Sequence, residues 1–158
     1  MQARAKLSIC VMALAAAVSL MAGGFVLQIG KPDANPEAQA KHAVLVVRGF
    51  ACADQEKTTV RGTAEGLVNG VRQSVALKLI PLSDQSTYAV TDQWPDEGRW
   101  VLTLAMTNPR FGQQSAIVRV NPGGVDWAGI TRFNRAPSKE DVEAALKAPA
   151  STSSVAAR

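Results

Sequence analysis

The chain has 158 residues, of which 47% are hydrophobic, and this length allows one small domain with a leader segment. It carries 17 Lys and Arg residues against 13 Asp and Glu residues, which gives a net charge of +4 at pH 7. The basic residues form neither a block nor a stripe with interleaved aromatic residues, so nucleic acid is not expected as a partner.

Residues 1–30 predict an export leader. Arg4 and Lys6 precede a run at residues 7–30 that contains no charged residue, which is the layout of a basic n-region followed by an apolar h-region. The run is also long enough to span a bilayer, which needs ~20 residues, so a cleaved signal peptide and a retained anchor helix both remain open. Small-residue cleavage cues lie at 21–24 and 38–40. In either case we expect the rest of the chain to be exported to the periplasm or the exterior, secreted or anchored by residues 7–30.

The next segments alternate between polar and apolar character. Residues 31–41 are rich in Pro and Ala and predict a linker without fixed structure. The valine-rich run 42–50 predicts a buried strand, and residues 51–57 predict a polar loop that ends it.

A hairpin is the clearest local prediction. Asn69-Gly70 lies between two runs of alternating apolar and polar residues, and this dipeptide is favoured in type I′ turns. Pro81, which has no N–H for a ladder, is expected to end the pairing. The side chains expected to face inward are Val60, Ala64, Val68, Val71, Val75, Leu77 and Leu79.

Residues 87–108 predict an aromatic corner between two strands. Tyr88 and Trp100 are expected on neighbouring strands, filling the centre of a small sandwich, with Trp94 in the turn between them. In the second strand, Trp100 and Met106 mark the ends of an alternating inward face. The alternative is that Trp94 is exposed and serves as a platform for a partner or a glycan. Tyr88, Trp94 and Trp100 are therefore the candidate partner-binding residues.

The C-terminal part changes character after a last strand at 115–120. Residues 121–148 predict an extension with a short helix, in which Ser138 is the N-cap and Asp141 completes a capping box. Val142, Ala145 and Leu146 form its apolar side. Residues 149–158 predict a disordered tail.

Together these elements predict a mainly β fold. Six to seven short strands separated by turn signals favour a single immunoglobulin-like antiparallel β-sandwich over residues 42–120, with an N-terminal signal or anchor helix and a short C-terminal helix.

Few residues suit catalysis or metal binding. His42 is the single histidine, and its place beside a flexible spacer is poor for a general base, so an enzyme is not expected. Cys52 is the only thiol outside the leader. We expect it to be a small buried residue, with pairing to another chain as the alternative. No cofactor is expected, but copper remains an alternative. If the leader ended at Ala40, the new terminal amine and His42 would chelate Cu(II), with Cys52 as a softer ligand.

Residues 87–90 (Thr-Tyr-Ala-Val) and 98–102 (Gly-Arg-Trp-Val-Leu) carry a family resemblance. Over about residues 71–106 the chain resembles small exported sandwich domains of the YtkA-like, FixH-like and CopC-like kind. This resemblance implies an immunoglobulin-like fold outside the cytoplasm. CopC-like copper carriers use an N-terminal histidine, to which His42 would correspond, but their other ligands have no counterpart here. We therefore expect a non-enzymatic exported domain that binds or scaffolds an envelope protein, with periplasmic copper handling as the alternative.

Overall fold

The computed structural model of the protein describes residues 24–149, which contain ten β-strands and two α-helices. The strands are β1 (Phe25–Gly30), β2 (Ala43–Ala51), β3 (Thr59–Val68), β4 (Val71–Ala76), β5 (Ile80–Pro81), β6 (Thr87–Thr91), β7 (Arg99–Asn108), β8 (Gly112–Asn121), β9 (Gly124–Val125) and β10 (Thr131–Phe133). The helices are α1 (Pro36–Ala40) and α2 (Lys139–Lys147), and short 3-10 turns lie at Pro32–Ala34, Gln55–Lys57 and Trp127–Gly129.

The strands form two antiparallel sheets. The four-stranded sheet has the order β1-β2-β6-β5, and the six-stranded sheet has the order β10-β8-β7-β3-β4, with β9 also paired to β8. Leu45 and Val90 of the first sheet share one buried core with Leu102 and Met106 of the second. The described chain is therefore mainly β and sandwich-like, as the period-2 patterns predict.

The predicted hairpin between β3 and β4 is confirmed. Val68 lies opposite Val71, and both turn residues have positive φ, 50° at Asn69 and 79° at Gly70, as a type I′ turn requires. Val71 differs from expectation because it is 62% exposed. It lies at the tip of β4, the outermost strand of its sheet, where the other sheet does not cover it.

Strand β7 has the predicted inward face, with Trp100, Leu102, Leu104 and Met106 all buried. Its opposite face is covered as well, because α2 lies on it: Val142 and Leu146 pack against Val101 of β7 and Ile117 of β8. The predicted capping box of this helix is also confirmed. The helix thus forms a third layer on the outside of the six-stranded sheet.

The predicted N-terminal boundaries are wrong. Residues 25–30, assigned to the leader, form β1, which pairs with β2 and buries Leu27 in the core. Residues 31–41, predicted as an unstructured linker, contain a 3-10 turn and α1. Asn35 caps that helix by accepting a hydrogen bond from the backbone N–H of Ala38, which is fully buried. A charge-free run fits a buried strand as well as a leader, so composition alone misplaces the boundary.

The sandwich also extends further toward the C-terminus than predicted. The sandwich was predicted to end at Val120, but β9 and β10 within the predicted extension pair with β8. The predicted leader at residues 1–23 and nearly all of the predicted tail, from residue 150 onward, lie outside the described residues. Among residues 24–149 there is no helix that is long and apolar enough to cross a membrane.

Side-chain amides of glutamine connect strands that backbone pairing leaves apart. Gln114 in β8 accepts a hydrogen bond from the N–H of Leu27 (3.0 Å) and donates one to the carbonyl of Phe25 (2.9 Å). Gln93 makes the same pair of bonds to the backbone of Lys78. Gln114 therefore ties the edge strand β1 of one sheet to β8 of the other, satisfying backbone groups that would otherwise lack a strand partner.

The acid stability of the α2 layer is predicted to depend on Asp141. The hydrogen bonds from Arg135 and from the backbone of Ser138 lower the pKa of Asp141 from its ordinary 3.8 to about 2. Because the unfolded chain binds this proton more readily than the folded one, the stabilisation is present above pH 3.8 and is lost as the pH falls through about 2. In urea unfolding, Asp141→Asn should be less stable than the wild type near neutral pH, and the difference should vanish near pH 2.

The matched control is Glu56→Gln, which removes an exposed carboxylate in the Gln55–Lys57 turn, away from α2. A stability difference between wild type and Asp141→Asn that does not change with pH would contradict the lowered pKa of Asp141 as its cause.

Candidate functional site

All three tryptophans of the chain line a single cleft at one end of the sandwich, with a volume of about 650 Å³. We call it the tryptophan cleft. Its walls are the 92–98 loop, which crosses from the four-stranded to the six-stranded sheet, and residues 120–125, where β8 turns into β9. Val44 at the start of β2 closes one side. Two of the three, Trp94 and Trp100, belong to the predicted aromatic corner at residues 87–108.

Trp100 forms the floor of the cleft and is only 2% exposed. It lies opposite Gly66 in β3 and Val120 in β8. A Cβ atom at Gly66 would overlap the indole of Trp100, so glycine is the residue that lets this ring lie across β3. The indole N–H donates a 2.9 Å hydrogen bond to the carbonyl of Glu97, which fixes the 92–98 loop above the ring.

Trp94 lies within the same loop and is 8% exposed, so it belongs to the core more than to the surface. Gly98 completes the loop with φ at 88°, and a Cβ there would overlap the carbonyl of Leu67. Glycine therefore permits this turn. The alternative that Trp94 is an exposed platform is wrong, because most of its ring is covered.

Trp127, which sequence reasoning missed, supplies the half-buried ring of the cleft. It begins the 3-10 turn Trp127–Gly129, whose preceding residue Asp126 accepts a hydrogen bond from the N–H of Gly129 (3.0 Å). Asp126 also forms a largely buried ion pair with Arg119 of β8 (2.6 Å). The local Asp-Trp-Ala-Gly signal indicates a turn, but it does not indicate the ion pair with Arg119, seven residues earlier in β8, that places Trp127 at the cleft.

Tyr88 does not join the tryptophans. It lies on β6 in the four-stranded sheet, whereas Trp100 lies on β7 in the six-stranded sheet, so the prediction of neighbouring strands is wrong. Tyr88 is half-buried and packs against the shared core without lining the cleft. Of the predicted partner-binding residues, the structure therefore brings Trp94 and Trp100 together and leaves Tyr88 apart.

His42 and Cys52 are separated by the whole of β2, a nine-residue strand that spans ~30 Å. One chain therefore cannot bind a metal ion with both side chains. Within residues 24–149, no group of three or more His, Cys, Asp or Glu side chains is placed to hold a metal ion. The expectation that Cys52 is buried is also wrong, since its thiol is free and exposed.

A leader that ended at Ala40 would disrupt the fold. It would remove β1 and α1, and with them the buried side chains of Leu27 and Ala38. His42 as the second residue of a mature chain is therefore incompatible with this fold. Met106, whose sulfur is another soft metal ligand, is fully buried in the core, as its alternation with Leu104 predicts.

The lining of the cleft is aromatic and acidic in character. Its titratable lining residues are Asp92 and Asp96, both exposed on the 92–98 loop. The remaining wall is the backbone and small side chains of the 121–124 turn. Comparison with protein-family models, with curated proteins and with solved structures finds no match for this chain.

The floor of the cleft is predicted to depend on the contact between Gly66 and Trp100. Gly66→Ala should destabilise the fold by ~1–3 kcal/mol, the usual cost of overpacking, because the indole must move. In the Gly66→Ala background, Trp100→Phe should cost less than it does alone, since the smaller ring relieves the overlap. Denaturant unfolding of the four proteins in this cycle measures both effects.

Gly123→Ala is the matched control, because a Cβ at Gly123 meets no atom within 4 Å. If the losses of unfolding free energy caused by Gly66→Ala and Trp100→Phe were strictly additive, the contact between Gly66 and Trp100 would be contradicted.

Proposed function

We propose that the protein is an exported, non-enzymatic domain of immunoglobulin-like topology that binds an envelope protein through the tryptophan cleft. The observation that carries this proposal is the convergence of all three tryptophans on one cleft. Tryptophan is enriched in the residues that dominate the energy of protein–protein interfaces, because it buries a large rigid surface at low entropic cost.

Strand order supports the immunoglobulin-like topology. With β1, β2, β5 and β6 lettered A, B, D and E, the four-stranded sheet reads A-B-E-D. With β3, β4, β7 and β8 lettered C, C′, F and G, the six-stranded sheet contains G-F-C-C′. These are the neighbour relations of immunoglobulin sandwiches, in which the loops at the ends of the sheets form the binding sites.

The composition of the cleft supports binding over catalysis. Asp92 and Asp96 are exposed, so water competes with their contacts to any reacting group. The walls are otherwise ring surfaces and a Pro-Gly-Gly turn at residues 122–124. Loops on a rigid sandwich are a common place for recognition residues.

The direction of β1 supports display of the cleft away from the N-terminal segment. Phe25 pairs with Ala51, and Gly30 pairs with Val46 next to the cleft end of β2. The chain thus enters the sandwich at the end opposite the cleft, ~30 Å away along β2. If residues 7–24 anchor the protein, the cleft faces outward from the membrane. If they are removed, cleavage at 21–24 leaves β1 intact, whereas cleavage at 38–40 would remove it.

A capture experiment with single-residue variants tests this function. Tagged wild-type protein should enrich a specific protein from membrane fractions, and Trp127→Ala should lower its recovery about tenfold or more, as expected for an interface residue of this type. Trp127 is preferred to Trp94 or Trp100 because those two rings are almost fully buried in the core, whereas Trp127 is half-buried against it and its loss should damage the fold less.

Phe50→Ala is the control, since Phe50 is an aromatic residue that is 39% exposed and lies at the opposite end of β2. Circular dichroism should show that both variants remain folded. Equal recovery with Trp127→Ala and wild type would exclude the cleft as the binding site.

A further inference from the structure

We infer that the segment which enters the tryptophan cleft is cationic and presents a Lys or Arg side chain. This inference rests on the proposed function and specifies the chemistry of the partner. The titratable groups in the cleft lining, Asp92 and Asp96, are both acidic. Over residues 24–149 the domain carries 14 Lys and Arg against 13 Asp and Glu, so this local excess of negative charge does not follow from the overall charge.

The half-buried ring of Trp127 already accommodates an ammonium group. The Nζ atom of Lys31 lies 5.8 Å from the ring centroid of Trp127, within the distance of a cation–π interaction. Lys31 is not part of the cleft lining, so it approaches this ring from outside the cleft. A second cation entering from the cleft would meet a lining that contains this ring and both carboxylates.

A neutral sugar fits these observations less well. Sugars stack on broad, exposed aromatic faces, whereas Trp94 and Trp100 are almost entirely covered and Trp127 is half-buried. A long basic side chain needs less open surface, because its aliphatic stem packs along apolar walls while its charged end reaches the carboxylates. Charge complementarity therefore favours a basic peptide segment over a neutral glycan.

An NMR titration of the full-length protein with short peptides tests the inference. The probe is an acetylated and amidated Gly-Arg-Gly-Arg-Gly peptide, and the comparison peptide has glutamine at both arginine positions. The indole N–H signals of the three tryptophans, assigned with single Trp→Phe variants, report on the cleft directly. We expect the arginine peptide to shift the Trp127 signal at millimolar concentration and the glutamine peptide to bind about two- to fivefold more weakly, the range of an exposed cation–π contact.

Charge variants separate local recognition from general attraction. Asp92→Asn combined with Asp96→Asn should weaken the arginine peptide by about threefold or more. Glu56→Gln combined with Asp84→Asn changes the net charge equally with exposed residues outside the cleft and should leave binding unchanged. Raising the salt concentration should weaken binding of the arginine peptide, because exposed charges are screened.

Three results would overturn the inference. The first is that the arginine peptide shifts no indole signal, and the second is that the two double variants weaken its binding equally. The third is that the trimer of N-acetylglucosamine shifts the indole signals and the arginine peptide does not. Failure here is distinguishable from failure of the proposed function. If partner capture still depends on Trp127 but not on Asp92 and Asp96, the cleft remains the binding site and only the charge assignment is wrong.

Discussion

The placement of the Trp100 ring across Gly66 is the constraint on which the cleft depends. Because β3 has no side chain at that point, the indole fills the inner face of the sheet and forms a floor. Its hydrogen bond to Glu97 then fixes the loop on one side. Val120, its neighbour in β8, leads into the turn on the other side. Trp100 thus forms the floor and holds one wall, while the pairing of β8 with β9 forms the other wall. The ion pair of Arg119 with Asp126 places Trp127 at the edge.

The rest of the fold leaves this end of the sandwich available. Helix α2 covers the outer face of the six-stranded sheet, and Gln114 ties β1 to β8. At the opposite end, the buried side chain of Asn108 donates to backbone carbonyls of the 53–54 segment and accepts from the N–H of Arg110. The polar contacts that join the sheets thus lie away from the tryptophan cleft. Trp94 and Trp100 belong to the core as well as to the cleft, whereas Trp127 is only half-buried against that core.

The sequence was sufficient to predict those features that depend only on residues adjacent in the chain. The Asn69-Gly70 turn, the alternation from Trp100 to Met106 and the Ser138 capping box all depend on a few adjacent residues. The assignment of strands to sheets was not predictable in this way, because consecutive strands such as β6 and β7 lie in different sheets. Trp127 was missed because a turn signal does not show that the ion pair of Arg119 with Asp126 holds the ring at the cleft. The strand β1 was missed because a buried strand and an export leader have the same charge-free composition.

Site-specific photo-crosslinking in living cells tests the central claim that the tryptophan cleft is the binding site. A photoreactive phenylalanine at Gly123 occupies open space at the rim of the cleft, since no atom lies within 4 Å of a Cβ there. The same residue at Arg110, exposed in the turn between β7 and β8 at the opposite end, is the matched position. Our account predicts a discrete crosslinked protein from position 123 and none from position 110. A crosslink from position 110 alone would contradict it.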